Sequence, residues 1–337
     1  MKKVALLMTL FALLALFCGC KEPAEPAKEP NPASDFEYEI SSEIDCVYII
    51  RYIGTAQDVV IPSQIEGLPV RSLKGVVDEQ YTYMIGEGVF EATNVKTVVI
   101  PETVEIVGMS AFQDCVELTS VTFLANSNLK NVMDFAFKHC EKLDKIDFSN
   151  TKLQKIRSQA FYGCKALKEI TFSDTLEHIG ERAFYHCSLL SVLDFPASLT
   201  KLDDGAFGYC SSVSRIVIPA KLDLFFASES AFHDISHAVE LEFEPGREVV
   251  TGYALIQTAT DVKLIIPKSV KQFAPLPFLI TPTAKVDIVF AGDAPEIIEE
   301  KEPDWFGSPV IHYDPTKQGW DTFEWKDRFE MLPHNGN

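Results

Sequence analysis

Five cysteines, Cys115, Cys140, Cys164, Cys187 and Cys210, recur at steps of 25, 24, 23 and 23 residues. Thiols in such a series could pair as disulfides, bind a metal, or remain reduced inside a core. A structural zinc site draws two ligands from one short loop, and no two of these five are closer than 23 residues. Equivalent positions in successive units would line the sulfurs up in one column, where an odd number cannot pair off completely. A buried thiol instead serves as a small hydrophobe with a weak S–H donor, and burial keeps it from oxidation. The column is therefore expected to be a structural cysteine ladder with no metal and no disulfide, even though an exported protein with eight cysteines would ordinarily suggest bridges.

Tyrosine and histidine gather beside these sulfurs. Tyr162 and Tyr185 follow a phenylalanine by one residue; His139, His186 and Tyr209 follow one by two, and His233 sits in a divergent sixth unit. If the units stack, these side chains form a stripe, and tyrosine suits recognition because it is rigid and amphipathic. Tyr162, Tyr185 and Tyr209 are therefore candidate ligand contacts, with ordinary outer surface as the competing reading. At about 4.8 Å per stacked strand, His139 and His186 would lie too far apart to share a metal ion directly. Other chemistry is absent: there is no His-Glu-x-x-His, no phosphate-binding glycine loop and no Gly-x-Ser-x-Gly elbow. No carboxylates stand in a context suggesting a paired acid and base. The sequence predicts a non-enzyme with no catalytic residue, no cofactor and no metal.

The elements that position these residues are written in a repeat. Ala-Phe occurs at residues 111, 136, 160, 183, 206 and 231, with a period too short for an independent domain. Each unit must bury its apolar face on its neighbours, so the fold is a stacked solenoid. After each cysteine come a Leu or Val and an apolar pair two apart, such as Val121 with Phe123 or Ile146 with Phe148; that alternation reads as a half-buried strand. A second apolar pair, such as Val104 with Val107, precedes each Ala-Phe. Each coil is expected to hold a strand, a turn, a second extended piece, and one helical turn carrying Ala-Phe-x-x-Cys. From Leu73 to Phe90 the usual gap of five lengthens to 17, placing an inserted loop at 74–88 with Tyr81 and Tyr83 as further ligand candidates, a decorated N-terminal cap being the competing reading.

The unit resembles the BspA-type leucine-rich repeat of bacteria, roughly Ile-Pro-x-x-Val-x-x-Ile-x-x-x-Ala-Phe-x-x-Cys-x-x-Leu. Ile100-Pro101 through Val104 and Val107, then Ala111-Phe112, Cys115 and Leu118, fit it. Gly54 to Pro62 with Gly67-Leu68-Pro69-Val70 looks like the opening unit of such proteins, and Gly292 to Pro295 with Trp305, Tyr313 and Trp320 like their closing segment. The resemblance implies a mostly β, right-handed leucine-rich repeat solenoid of short parallel strands. It also implies adhesion to host matrix proteins or other cells.

Lys2-Lys3, the apolar run Val4 to Phe17, and Gly19-Cys20 have the layout of a secretory signal. Phe17-Cys18-Gly19-Cys20 resembles a lipobox, although Phe17 and Cys18 depart from its usual residues, and Cys20 is the expected lipidation site. Lys21 to Pro32 is proline-rich and charged, which suits an extended spacer. The expected organisation is a signal peptide at 1–19, a lipidated tether at 20–35, the solenoid at 36–290 and a C-terminal capping segment at 291–337. With 30 Lys plus Arg against 49 Asp plus Glu, a formal charge of −19 argues against nucleic acid as a partner. The chain is expected to be a monomeric outer-membrane or cell-surface lipoprotein, held to the membrane only by its lipid, that binds a protein or glycan. A glycan- or nutrient-capturing, or scaffolding, envelope lipoprotein is the second reading.

Overall fold

The computed structural model describes residues 29–73, 88–223, 230–236, 238–250, 256–258, 260–274, 278–280, 284–298 and 309–334. The expected signal peptide, Cys20, and the inserted segment with Tyr81 and Tyr83 lie outside the described residues. From Asn31 onward the described chain is mostly β.

Equivalent residues of successive coils stack in register. In the column nearer the Ala-Phe turns, Val107 faces Val132, Val132 faces Ile156, Ile156 faces Ile179 and Ile179 faces Leu202, all in parallel pairs. In the other column Ile146 faces Ile170, Leu193 faces Ile216, Ile216 faces Leu241, Leu241 faces Leu264, and Leu264 faces Ile288. These are the residues whose alternation marks the strands in the sequence, and stacking puts them into one continuous buried core. A single coil has no second layer to cover it, so its burial comes from the coils on either side.

The expected helical turn does not form. Among the described residues the only helical segment is the 3-10 turn Ala33–Asp35. Ala-Phe-x-x-Cys is instead a run of tight turns with two left-handed residues, one just before the alanine and one just before the cysteine. Ser110, Phe135, Gln159 and Arg182 hold the first position at φ 56°, 61°, 55° and 52°, and Asp114, His139 and His186 hold the second at 57°, 60° and 62°. Amide bonding alternates accordingly. Ala111, Gln113 and Cys115 donate three residues back, to Gly108, Ser110 and Phe112, whereas Phe112 and Asp114 donate to Ala136 and Lys138 of the next coil at 2.7 and 2.8 Å. A helix would spend all of these amides within the coil. Each non-glycine left-handed residue costs about 1–2 kcal/mol, and the coil-to-coil bonds it permits offset that cost.

The ends of the stack are covered differently. Phe36–Ser41 runs antiparallel to Cys46–Tyr52 and closes the first edge. Beyond residue 290 the parallel ladder continues through Val310–Tyr313 and Glu330–Pro333, within the segment expected to cap the fold. There Trp320, Phe323 and Trp325 are buried, with the Trp320 ring 5.4 Å from Phe290 and the Trp325 ring 5.8 Å from Phe273. Trp305 lies outside the described residues.

Candidate functional site

The cysteines occupy equivalent positions of successive coils. All five are fully buried and unbridged, as is Cys46. Each Sγ donates to the carbonyl of the phenylalanine one coil back: Cys115 to Phe90 at 2.8 Å, Cys140 to Phe112 at 3.1 Å, Cys164 to Phe137 at 3.1 Å, Cys187 to Phe161 at 3.3 Å and Cys210 to Phe184 at 3.2 Å. The same carbonyl also accepts the amide of the cysteine in its own coil, as Phe137 does from Cys140 at 3.2 Å. The thiol thus satisfies the second lone pair of a buried carbonyl while filling a methyl-sized space. Burial pushes the Cys115 thiol up to about 11, partly offset by hydrogen bonding from Thr93, and Cys210 up to about 12. Burial likewise raises Cys140, Cys164 and Cys187. Thiols held protonated in this way are weak nucleophiles.

The turn phenylalanines, Phe90 after Val89 and the rest after alanine, form a face-to-face column. Centroid separations are 4.8 Å for Phe90–Phe112, 4.9 Å for Phe112–Phe137 and Phe137–Phe161, and 5.0 Å for Phe161–Phe184 and Phe184–Phe207. In the first of these coils Thr93 takes the cysteine position, its hydroxyl donating to Phe90 O at 2.7 Å. The column ends on Phe232, 5.4 Å from Phe207, and in that coil Ile235 takes the cysteine position.

The tyrosines come together on the outer flank of the turns. Tyr162 and Tyr185 stack with centroids 5.2 Å apart at 7°, and Tyr209 packs at 5.1 Å from Tyr185. His186 lies 4.7 Å from Tyr209 and His233 lies 5.3 Å from it, while His139 packs against Tyr162 at 5.7 Å. His139 and His233 also bond through Nδ1 to Asp114 and Asp234, each at 2.9 Å. Burial lowers the affinity of His186 for a proton, with nearby Lys165 and His233 acting the same way. Burial raises Tyr185, with Tyr209 and Tyr162 adding to the shift.

Two cations join the stripe that inspection of aromatic residues alone does not find. Lys138 Nζ lies 5.3 Å from the Tyr162 ring centre and 5.0 Å from that of Phe135, and the Arg182 guanidinium lies 5.8 Å from that of Tyr185. With His139 and Gln159 they line a shallow depression of about 340 Å³. The signal was present in the unit alignment: Lys138 occupies the column of Tyr162 and Tyr185, one residue after the phenylalanine. Because the rings stack on each other, their faces are largely covered, and edges and hydroxyls are what they offer a partner. Among the described residues no group of three or more His, Cys, Asp or Glu could hold a metal ion.

The model of the BspA type leucine-rich repeat region, in six copies, matches residues 83–214 and 154–279, together more than half of the 337-residue chain. No curated protein matches the chain. Among solved structures, a leucine rich cell surface protein from Faecalibacterium prausnitzii is similar, with 18% identity, 93% of this chain and 97% of that one covered, and a TM-score of 0.51. The leucine-rich repeat protein of T. pallidum shares 23% identity over 70% of this chain and 86% of its own, with a TM-score of 0.40. The pneumococcal vaccine antigen PcpA shares 16% over 83% and 86%, with a TM-score of 0.42.

Proposed function

Because the chain belongs to the BspA-type leucine-rich repeat family, we propose that it is a lipid-anchored, surface-displayed binding protein that contacts proteins of host or neighbouring cells. Cys20 carries the lipid, the proline-rich segment after it acts as the tether, and the coils wind right-handed as parallel crossovers do. One observation carries the binding role: the stack leaves a long, shallow exterior whose densest aromatic feature is the Tyr162–Tyr185–Tyr209 stripe with its flanking Lys138 and Arg182. Tyrosine and arginine are the residue types that dominate recognition energetics, and a solenoid surface of this kind suits contact with a partner better than enclosure of a substrate. Tyr81 and Tyr83 form a second candidate surface.

Protease shaving of intact cells tests display, and Cys20→Ala tests anchoring by release of the protein from the membrane fraction. Binding to immobilised matrix proteins by the wild type, by the triple Tyr162→Ala, Tyr185→Ala, Tyr209→Ala variant and by a chain lacking Val76 to Glu87 tests the two surfaces. Loss in either altered chain supports its surface; unchanged binding in both removes both assignments.

A further inference from the structure

Lysines around the tyrosine stripe are not treated alike by their surroundings. Lys142 and Lys165 each reach a carboxylate of the preceding coil, Glu117 at 2.7 Å and Glu141 at 2.6 Å. Lys138 pairs with no carboxylate among the described residues: its Nζ meets the Gln159 amide oxygen at 3.4 Å and the rings of Phe135 and Tyr162. Arg182 occupies the next rung of the column that holds Gln159, immediately before the alanine. The two cations therefore share one depression, each beside one of two rings stacked 5.2 Å apart.

The charge of that depression has one sign. Lys138 and Arg182 line it together with His139, Gln159, Tyr162 and Tyr185, and no carboxylate does. Asp114 is drawn to His139 Nδ1 at 2.9 Å, and Glu181 meets Arg182 only as an exposed pair at 3.4 Å, a kind of contact that competes weakly with a bound anion. Residues 130–182 carry ten Lys plus Arg against eight Asp plus Glu, in a chain with 30 against 49. A positive site held open in so acidic a molecule attracts an anionic partner. We propose that this depression takes two carboxylates of an acidic peptide segment in the partner protein, a reading that rests on the stripe being the binding surface.

Spacing and extent select a peptide over a sulfated polysaccharide. Alternate side chains of an extended peptide project on one face about 6.6 Å apart, which matches cations set beside neighbouring rings. One carboxylate then meets Lys138 and the next meets Arg182, whose planar fork suits both carboxylate oxygens, and tyrosine hydroxyls donate from the ring edges. The positive stretch is also short. In the column just before the cysteines, Asp114 stands at one end of the stripe and Asp234 at the other. A polyanion charged at every sugar runs onto those carboxylates, whereas a peptide presents two charges and continues neutral.

The test uses the full chain and three probes: a fluorescein-labelled Gly-Glu-Thr-Glu-Thr-Glu-Gly peptide, its counterpart with glutamine for each glutamate, and a labelled heparin hexasaccharide. Fluorescence anisotropy is expected to show binding of the acidic peptide, at least tenfold weaker binding of the glutamine peptide, and loss of affinity as salt rises from about 50 to about 300 mM. The double variant Lys138→Gln, Arg182→Gln is expected to weaken the acidic peptide about tenfold without moving the urea midpoint, and Lys138→Arg to retain it. No binding of the acidic peptide, equal binding of the glutamine peptide, indifference to the double variant, or tighter binding of heparin than of the peptide overturns the proposal. The underlying reading fails separately. Matrix-protein binding that drops in the tyrosine triple variant but not in the double cation variant keeps the stripe and overturns the acidic segment, whereas binding indifferent to the triple variant overturns the stripe, and the acidic segment with it.

Discussion

Phe161→Ala is the perturbation that asks most of the stacked arrangement. The ring is fully buried, stacked at 4.9 Å and 11° on Phe137 and at 5.0 Å and 2° on Phe184, and met edge-on by Phe148 at 6.2 Å. Truncating a buried phenylalanine costs about 3–5 kcal/mol when the site cannot collapse. Collapse is hindered here because the coils above and below are held at fixed spacing by ladder bonds such as Phe161 N to Ala183 O at 2.7 Å, so the upper half of that range is expected. With a urea slope near 3 kcal/mol/M, the midpoint should fall by about 1.3–1.7 M. Since each coil touches only its neighbours, weakening a central coil should also broaden the transition as the two halves begin to unfold separately. The control is one residue away: Tyr162→Ala removes a ring that packs on the outside, and should cost no more than about 1.5 kcal/mol, the worth of its stacking. A Phe161→Ala midpoint within about 0.3 M of wild type, or equal costs for the two variants, refutes the reasoning.

Other expectations follow from the same geometry. Cys164→Ser should cost less than about 1 kcal/mol because a hydroxyl can donate to Phe137 O in place of the thiol, whereas Cys164→Ala leaves a small void and should cost about 1–2 kcal/mol in the same urea titration. The raised thiols make stability depend on alkaline pH. Below the ordinary cysteine value of 9.0 both states hold the proton; above it the unfolded chain ionises while Cys115 stays protonated to about 11. Stability should therefore be level up to about pH 9 and decline toward pH 11, by up to roughly 2–3 kcal/mol from Cys115 alone, and Cys115→Ala should lessen the decline by that amount while the other raised thiols keep the rest of it. Trp325→Ala, which uncovers Phe273 at the far end of the stack, should lower thermal stability by about 3–5 kcal/mol, read by calorimetry.

What the sequence reveals here depends on whether a feature is set by one unit or by the stack. The parallel register is legible because Val107, Val132, Ile156, Ile179 and Leu202 recur at one position of a fixed period, and in-register stacking is the arrangement that buries them all. The cysteine column follows from the same count. The turn conformation is not legible: Ala-Phe-x-x-Cys has small and apolar residues at helical spacing, and nothing in Ser110, Phe135, Gln159 or Arg182 announces a left-handed backbone. Only Gly163 and Gly205, with φ 74° and 61°, hint at it, and they do so in separate coils at different positions. The choice between helix and turns is decided by amides that bond to the neighbouring coil, a partner absent from any single unit.

Thiol mapping tests the central claim, that equivalent side chains rest unbonded on one another through successive coils. Native protein treated with iodoacetamide, then unfolded without reductant and treated with a heavy-isotope form of the same reagent, should carry only the second label at Cys46, Cys115, Cys140, Cys164, Cys187 and Cys210. Recovery of any two of these in a disulfide-linked peptide, or labelling of the five ladder sulfurs in the folded state, would contradict it.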